Sequence, residues 1–118
     1  EKKWFISREQ SYHGATSDAL ALGERPNLEF FRPSLSPFRA RIPMHHPLYL
    51  KEEGETLDDY AKRSAKQLED KILEIGPEKV SGFVAETIMG GLVGDVPPAP
   101  NYWKYIRNIC NKLVKSFK

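Results

Sequence analysis

Between residues 56 and 75, apolar side chains recur three and four positions apart: Leu57, Tyr60, Ala61, Ala65, Leu68, Ile72 and Ile75. On a helix of 3.6 residues per turn these positions form one stripe, which predicts an amphipathic helix over 56–75 lying on a sheet. Thr56-Leu57-Asp58-Asp59 opens it as a capping-box variant with acidic residues in the first turn, and Gly76-Pro77 closes it. Asp58–Lys62 and Asp59–Arg63 are four residues apart in the favourable order, each worth about 0.2–0.5 kcal/mol. The pattern then changes. Val80, Phe83, Val84 and Ala85 make a short apolar run, read as a strand over 79–85 buried on both faces in a parallel sheet. A loop over 87–100 carries Gly90, Gly91, Gly94, Pro97, Pro98 and Pro100. Asn101 is placed to cap a last helix over 101–117, whose broad apolar face runs from Tyr102 to Phe117.

The first half is less regular. Trp4, Phe5 and Ile6 centre a strand over 2–7, followed by a turn over 8–14 and a helix over 15–22. Ser11 or Thr16 is available as its cap, and Gly23 ends it. Residues 24–50 contain Pro26, Pro33, Pro37, Pro43 and Pro47, which break any long element and leave a long loop with one short strand at 39–44. Ordered loops of that length serve a function or dock on something outside the chain. The alternation of strands and helices predicts an α/β fold with a short, mostly parallel sheet flanked by helices.

Composition narrows the partners. With 118 residues the chain is at most one domain. A net charge of +2, with acidic and basic residues intermixed, makes no electrostatic case for nucleic acid. No apolar run reaches the length of a membrane span. One cysteine, Cys110, excludes an intrachain disulfide, and a cytoplasmic location is expected. Glu1 is not an initiating Met, and the last helix is apolar on a broad face. A three-strand sheet also buries little, so a piece of a larger domain is expected.

Ligands of open α/β sheets bind at the carboxyl ends of the strands. Tyr12-His13-Gly14 follows the first strand and Glu86 ends the strand at 79–85. In a parallel sheet an aromatic ring, an imidazole and a carboxylate would therefore share one crevice. That set suits a flat, partly cationic heteroaromatic ligand. It does not suit nucleophilic hydrolysis, since no serine has a G-x-S-x-G context. His45 and His46, adjacent on an extended segment, point to opposite sides and lack metal-binding spacing; they are read as loop histidines near a ligand mouth. No metal site is expected. Cys110 is read as a small buried hydrophobe and Tyr102 and Trp103 as packing anchors.

Two segments carry a family resemblance. FISREQSYHGATSDALAL resembles the stretch of class III (ω-type) pyridoxal-phosphate aminotransferases that runs from a strand through an S-Y-H-G turn into a helix. LEDKILEIGPEKVSGFVAETIMGGLVGDVPPAPNYWKYIRNICNK is similar to the same family's next stretch: a helix ending in G-P-E, a strand ending in glutamate, a glycine-rich loop, and a helix. The resemblance implies a partial three-layer sandwich of the aspartate-aminotransferase-like large domain. It implies a pyridoxal 5'-phosphate enzyme that moves an amino group from an amine or amino acid to a keto acid, as a homodimer or higher oligomer. In that frame Tyr12 stacks on the cofactor ring, His13 lies beside it, Gly14 lets the turn pass close, and Glu86 approaches the ring edge. Gly91 stands where some members carry a gating glutamate. The Schiff-base lysine, the aspartate that pairs with the pyridinium nitrogen, and the phosphate cradle have no counterparts here. No catalytic residue is therefore assigned, and the isolated chain is expected to be inactive. Two other readings are a complete small α/β binding module and a fragment that folds poorly.

Overall fold

A computed structural model describes residues 1–26 and 28–114. Three strands form one sheet in the order β2-β1-β3: β1 is Trp4–Arg8, β2 is Arg39–Ile42 and β3 is Val80–Phe83. Both pairings are parallel, with Ile6 opposite Ala40 in β2 and opposite Phe83 in β3. The helices are α1 (Ser17–Leu22), α2 (Pro47–Leu50), α3 (Leu57–Ile75) and α4 (Tyr102–Leu113).

Alternation along the strands decides what lies on each face. Ile6 and Ile42 point into a core with Tyr60, Ala61, Ala65, Leu68 and Ile72 of α3 and Tyr102 and Ile106 of α4. Ser7 and Arg41 point the other way and bond to the end of α1. The Ser7 hydroxyl donates to Leu22 O at 2.5 Å, and the Arg41 guanidinium to Ala21 O at 3.3 Å and to Gly23 O. The sheet thus lies between α1 and the α3/α4 layer. The α3 stripe seen in the sequence is the buried one, and Leu68 and Ile72 are fully sealed.

The caps follow the sequence closely. The Thr56 hydroxyl accepts from Asp59 N–H at 3.0 Å, and Thr16, not Ser11, caps α1. Ser11 instead donates to Arg8 O at 2.6 Å and braces the turn. Three local readings change. Asn101 precedes α4 but sits at φ 68°, and its side chain leaves the helix amides to bond Asp58 Oδ1 at 3.2 Å. Asp58 also accepts from Tyr105 Oη at 2.6 Å and pairs with Lys62 at 3.2 Å, so it joins α3 to α4 as well as making its helical pair. Arg63 takes Glu55 at 2.8 Å rather than Asp59, because the two guanidinium nitrogens reach both carboxylate oxygens there. That contact holds the Glu55 carboxyl at about 2.

The long segment 24–50 is more structured than a loop. It contains a 3₁₀ stretch (Leu28–Ser34), β2, which is shorter than the strand read at 39–44, and α2. The strand read at 79–85 is not buried on both faces. Ser81, Gly82 and Phe83 are half-buried, because β3 pairs only with β1 among the described residues and is an edge. Arg8, read as part of a turn, is the last residue of β1 and 1% exposed. The part of the predicted 101–117 helix beyond residue 114, with Phe117, lies outside the described residues.

Candidate functional site at the carboxyl ends of β1 and β3

Beyond Arg8 the chain turns through Gln10, at φ 55°, whose N–H donates to Glu24 at 2.8 Å. Ser11 O accepts from Glu24 N–H at 2.9 Å, which fixes the turn against the end of α1. Gly14 follows at φ 125°, a left-handed conformation that L side chains rarely adopt, and a Cβ there would come 3.2 Å from Ala19 Cβ. The positive φ is what favours glycine here, and the close approach to α1 adds to it. On the other side, Val84 N–H donates to Ile6 O at 2.9 Å, carrying the β1–β3 ladder past β3 and delivering Glu86 beside the turn.

The two ends meet. Tyr12 N–H donates to Glu86 Oε1 at 3.0 Å. Tyr12 is 44% exposed, and the Arg25 guanidinium lies 4.1 Å from its ring centroid. His13 is half-buried, and its Nε2 is enclosed without a hydrogen-bond partner among the described residues. Burial pushes the His13 imidazole below its ordinary value; Glu86 pulls it up, and the Arg8 charge adds to the lowering. The lowering favours the neutral imidazole near pH 7, with its enclosed Nε2 left unsatisfied among the described residues.

Sequence reasoning missed three contributors. Arg8 lies beneath the crevice, donating from Nη2 to Glu86 O at 2.5 Å and resting over the rings of Trp103 (5.5 Å) and Tyr102 (5.9 Å). It holds the Glu86 backbone where the side chain can reach Tyr12. An arginine closing an apolar strand was the available signal. Gly90 is the second: a Cβ there would run into the Glu86 carboxylate, so this glycine leaves room for the acid rather than for a turn. Gly91 has open space around it. Arg25, over the Tyr12 ring, had no signature in the sequence.

His45 and His46 are not at the crevice mouth. They are 0% and 1% exposed. The His45 ring stacks 3.7 Å from Tyr102 and 4.9 Å from Tyr60, and its pKa is pushed down to about 3, chiefly by burial and then by the Arg8 and His46 charges. The burial of both histidines had no signature in the sequence. A groove of about 510 Å³ runs between β3 and α4, lined by Phe83, Trp103, Ile106 and Cys110, and does not include Tyr12, His13 or Glu86. Burial raises the Cys110 thiol above its ordinary value, consistent with a packing role.

Residues 1–114 match the family model described as aminotransferase class-III. The chain belongs to this family. An uncharacterized aminotransferase of Schizosaccharomyces pombe is 42% identical over 108 residues, 91% of this chain and 24% of that protein. Gamma-aminobutyrate transaminase 1, mitochondrial, of Oryza sativa subsp. indica is 36% identical over 112 residues, 95% of this chain and 22% of that protein. Among solved structures, the omega transaminase from Pseudomonas jessenii in complex with PMP superposes with a TM-score of 0.85 at 34% identity, covering 95% of this chain and 24% of that one. The chain thus spans about a quarter of the length of the class III aminotransferases it matches. Its sheet and flanking helices are part of the aspartate-aminotransferase-like α/β fold.

Proposed function

We propose that this segment forms the ring-binding wall of a pyridoxal 5'-phosphate-dependent transaminase that moves an amino group from an amine or amino acid to a keto acid. The observation that carries the reading is the Tyr12–Glu86 contact at 3.0 Å, with the unsatisfied His13 Nε2 enclosed beside it. These residues fit the cofactor. Tyr12, an exposed aromatic residue with Arg25 over its ring, offers a stacking surface for a flat pyridine ring, and a buried imidazole nitrogen with no partner offers a hydrogen bond. Gly14 keeps the turn free of a side chain at that approach. When bound, pyridoxal 5'-phosphate supplies an electron-withdrawing ring that stabilises negative charge on the substrate's reacting carbon. This chain's residues orient that ring: Tyr12 from its face, His13 from beside it, and Glu86 by fixing the turn that carries both.

The relatives named gamma-aminobutyrate transaminases and omega transaminases support an amine or amino-acid donor and a keto-acid acceptor. We place the site in a homodimer or higher oligomer in the cytoplasm, on the family's pattern and the low cysteine use. The isolated chain lacks the lysine, pyridinium partner and phosphate cradle that the family uses, so it should not exchange amino groups by itself. In a polypeptide of the family's full length, Tyr12→Ala should weaken cofactor binding by about fivefold, the worth of one aromatic stacking contact at roughly 1 kcal/mol. Cofactor absorption followed during titration reads this directly. Unchanged affinity would overturn the assignment of Tyr12, and turnover by the isolated 118-residue chain that Tyr12→Ala abolishes would overturn its inactivity.

A further inference from the structure

We infer that the His45-His46 pair is a positioning clasp: it grips the loop after β3 at two points and thereby holds Glu86 against the Tyr12 turn. Ala99 N–H donates to His45 Nε2 at 3.0 Å, so in the neutral ring the proton sits on Nδ1, which donates to Ser64 Oγ of α3 at 2.8 Å. One imidazole therefore ties the proline end of the loop to α3, with Tyr60 and Tyr102 stacked against it. His46 grips the loop's middle. Its Nε2–H donates to Val93 O at 3.3 Å, its backbone N–H donates to Tyr60 Oη at 2.8 Å, and its ring stacks on Tyr49.

The part of the loop that carries the Val93 grip, residues 89–96, closes on itself. Met89 and Val96 exchange two backbone hydrogen bonds of 3.0 Å and are both buried. Gly90, next to Met89, is the residue that borders the Glu86 carboxylate. A clasp at Val93 and Ala99 thus sets the wall that Glu86 leans on, and Glu86 in turn accepts from Tyr12 N–H. The inference rests on the site reading above only in calling Tyr12 and Glu86 the functional pair.

The test is residue-resolved amide exchange on the full chain without cofactor, so that it is independent of whether pyridoxal phosphate binds. His45→Phe keeps a flat ring between the tyrosines but removes the acceptor, and His46→Phe keeps the Tyr49 stack but removes the Val93 bond. His45→Gln, which restores an acceptor and a donor, is the conservative rescue. The Ala99 and Tyr12 amides should exchange at least tenfold faster in His45→Phe, and the Tyr12 amide should do so in His46→Phe. Leu68 in the middle of α3 should keep its protection, and His45→Gln should recover most of the loss. Tyr12 protection that survives both phenylalanine variants, or that falls only in step with Leu68, would overturn the clasp. A cofactor titration on the unaltered protein reports separately on the site reading.

Discussion

Two histidines of this chain each feel the charge of Arg8, and they end up as opposites. His45 is fully sealed, has both ring nitrogens bonded, and stacks against Tyr60 and Tyr102. His13 is half-buried beside Glu86, and its Nε2 has no partner among the described residues. Burial lowers the pKa of both. The difference lies in saturation. A buried polar group whose bonds are all made strengthens a scaffold, whereas one left open costs free energy until something from outside completes it. An unsatisfied nitrogen at a crevice is for that reason a better pointer to a ligand than burial or a shifted pKa alone.

The strongest way to break this comparison is to delete each imidazole. His45→Ala should destabilise the fold by roughly 2–4 kcal/mol, since it opens a cavity and strands both the Ala99 N–H and the Ser64 hydroxyl. Thermal unfolding should fall by on the order of 10 °C for a chain of this size. His13→Ala should cost less than about 1 kcal/mol, since no bond to Nε2 is lost. Equal costs would remove the distinction.

A pH series sharpens the same point. The folded-state value of His45 lies at about 3, below its ordinary 6.5, so the unfolded chain binds the extra proton first. The stabilisation is complete above about pH 6.5 and is lost as pH falls towards 3, with a slope of at most about 1.4 kcal/mol per pH unit. His45→Phe should flatten the unfolding free energy across that window, which denaturant titrations at several pH values would register. A slope unchanged by the substitution would assign it to other groups.

The smallest effect concerns the open site. Gly90→Ala should displace the Glu86 carboxylate and weaken its bond to Tyr12 N–H, at a stability cost of about 1 kcal/mol or less. The Tyr12 amide resonance should move while the α3 resonances stay. No movement at Tyr12 would mean that the carboxylate has another route around the added methyl group.

Much of this architecture is legible without coordinates because the physics behind it is local. The α3 stripe, the Thr56 cap and the glycine stop at residue 76 depend on spacing and on side chains within one turn of the helix. So does the placement of Tyr12 and Glu86 at strand ends, which needs only two strands and the rule for open α/β sheets. The alternation of elements was enough for the fold class, and the quoted segments were enough for the family.

What the sequence could not decide depends on who arrives from far along the chain. Asn101 looks like a cap, yet Asp58, 43 positions away, claims its side chain. Arg63 has two acidic candidates and takes the one that can meet its guanidinium with both oxygens. His45 and His46 read as loop residues because nothing nearby shows that Tyr60, Tyr102 and Ala99 will close around them. Gly90 matters through a carboxylate four residues earlier that the chain folds back upon it. The sequence by itself determined most of the elements, the family and the strand ends at which Tyr12 and Glu86 stand. Only the tertiary structure decided which polar groups are saturated and which stay open, because hydrogen-bond partners are chosen by proximity in space.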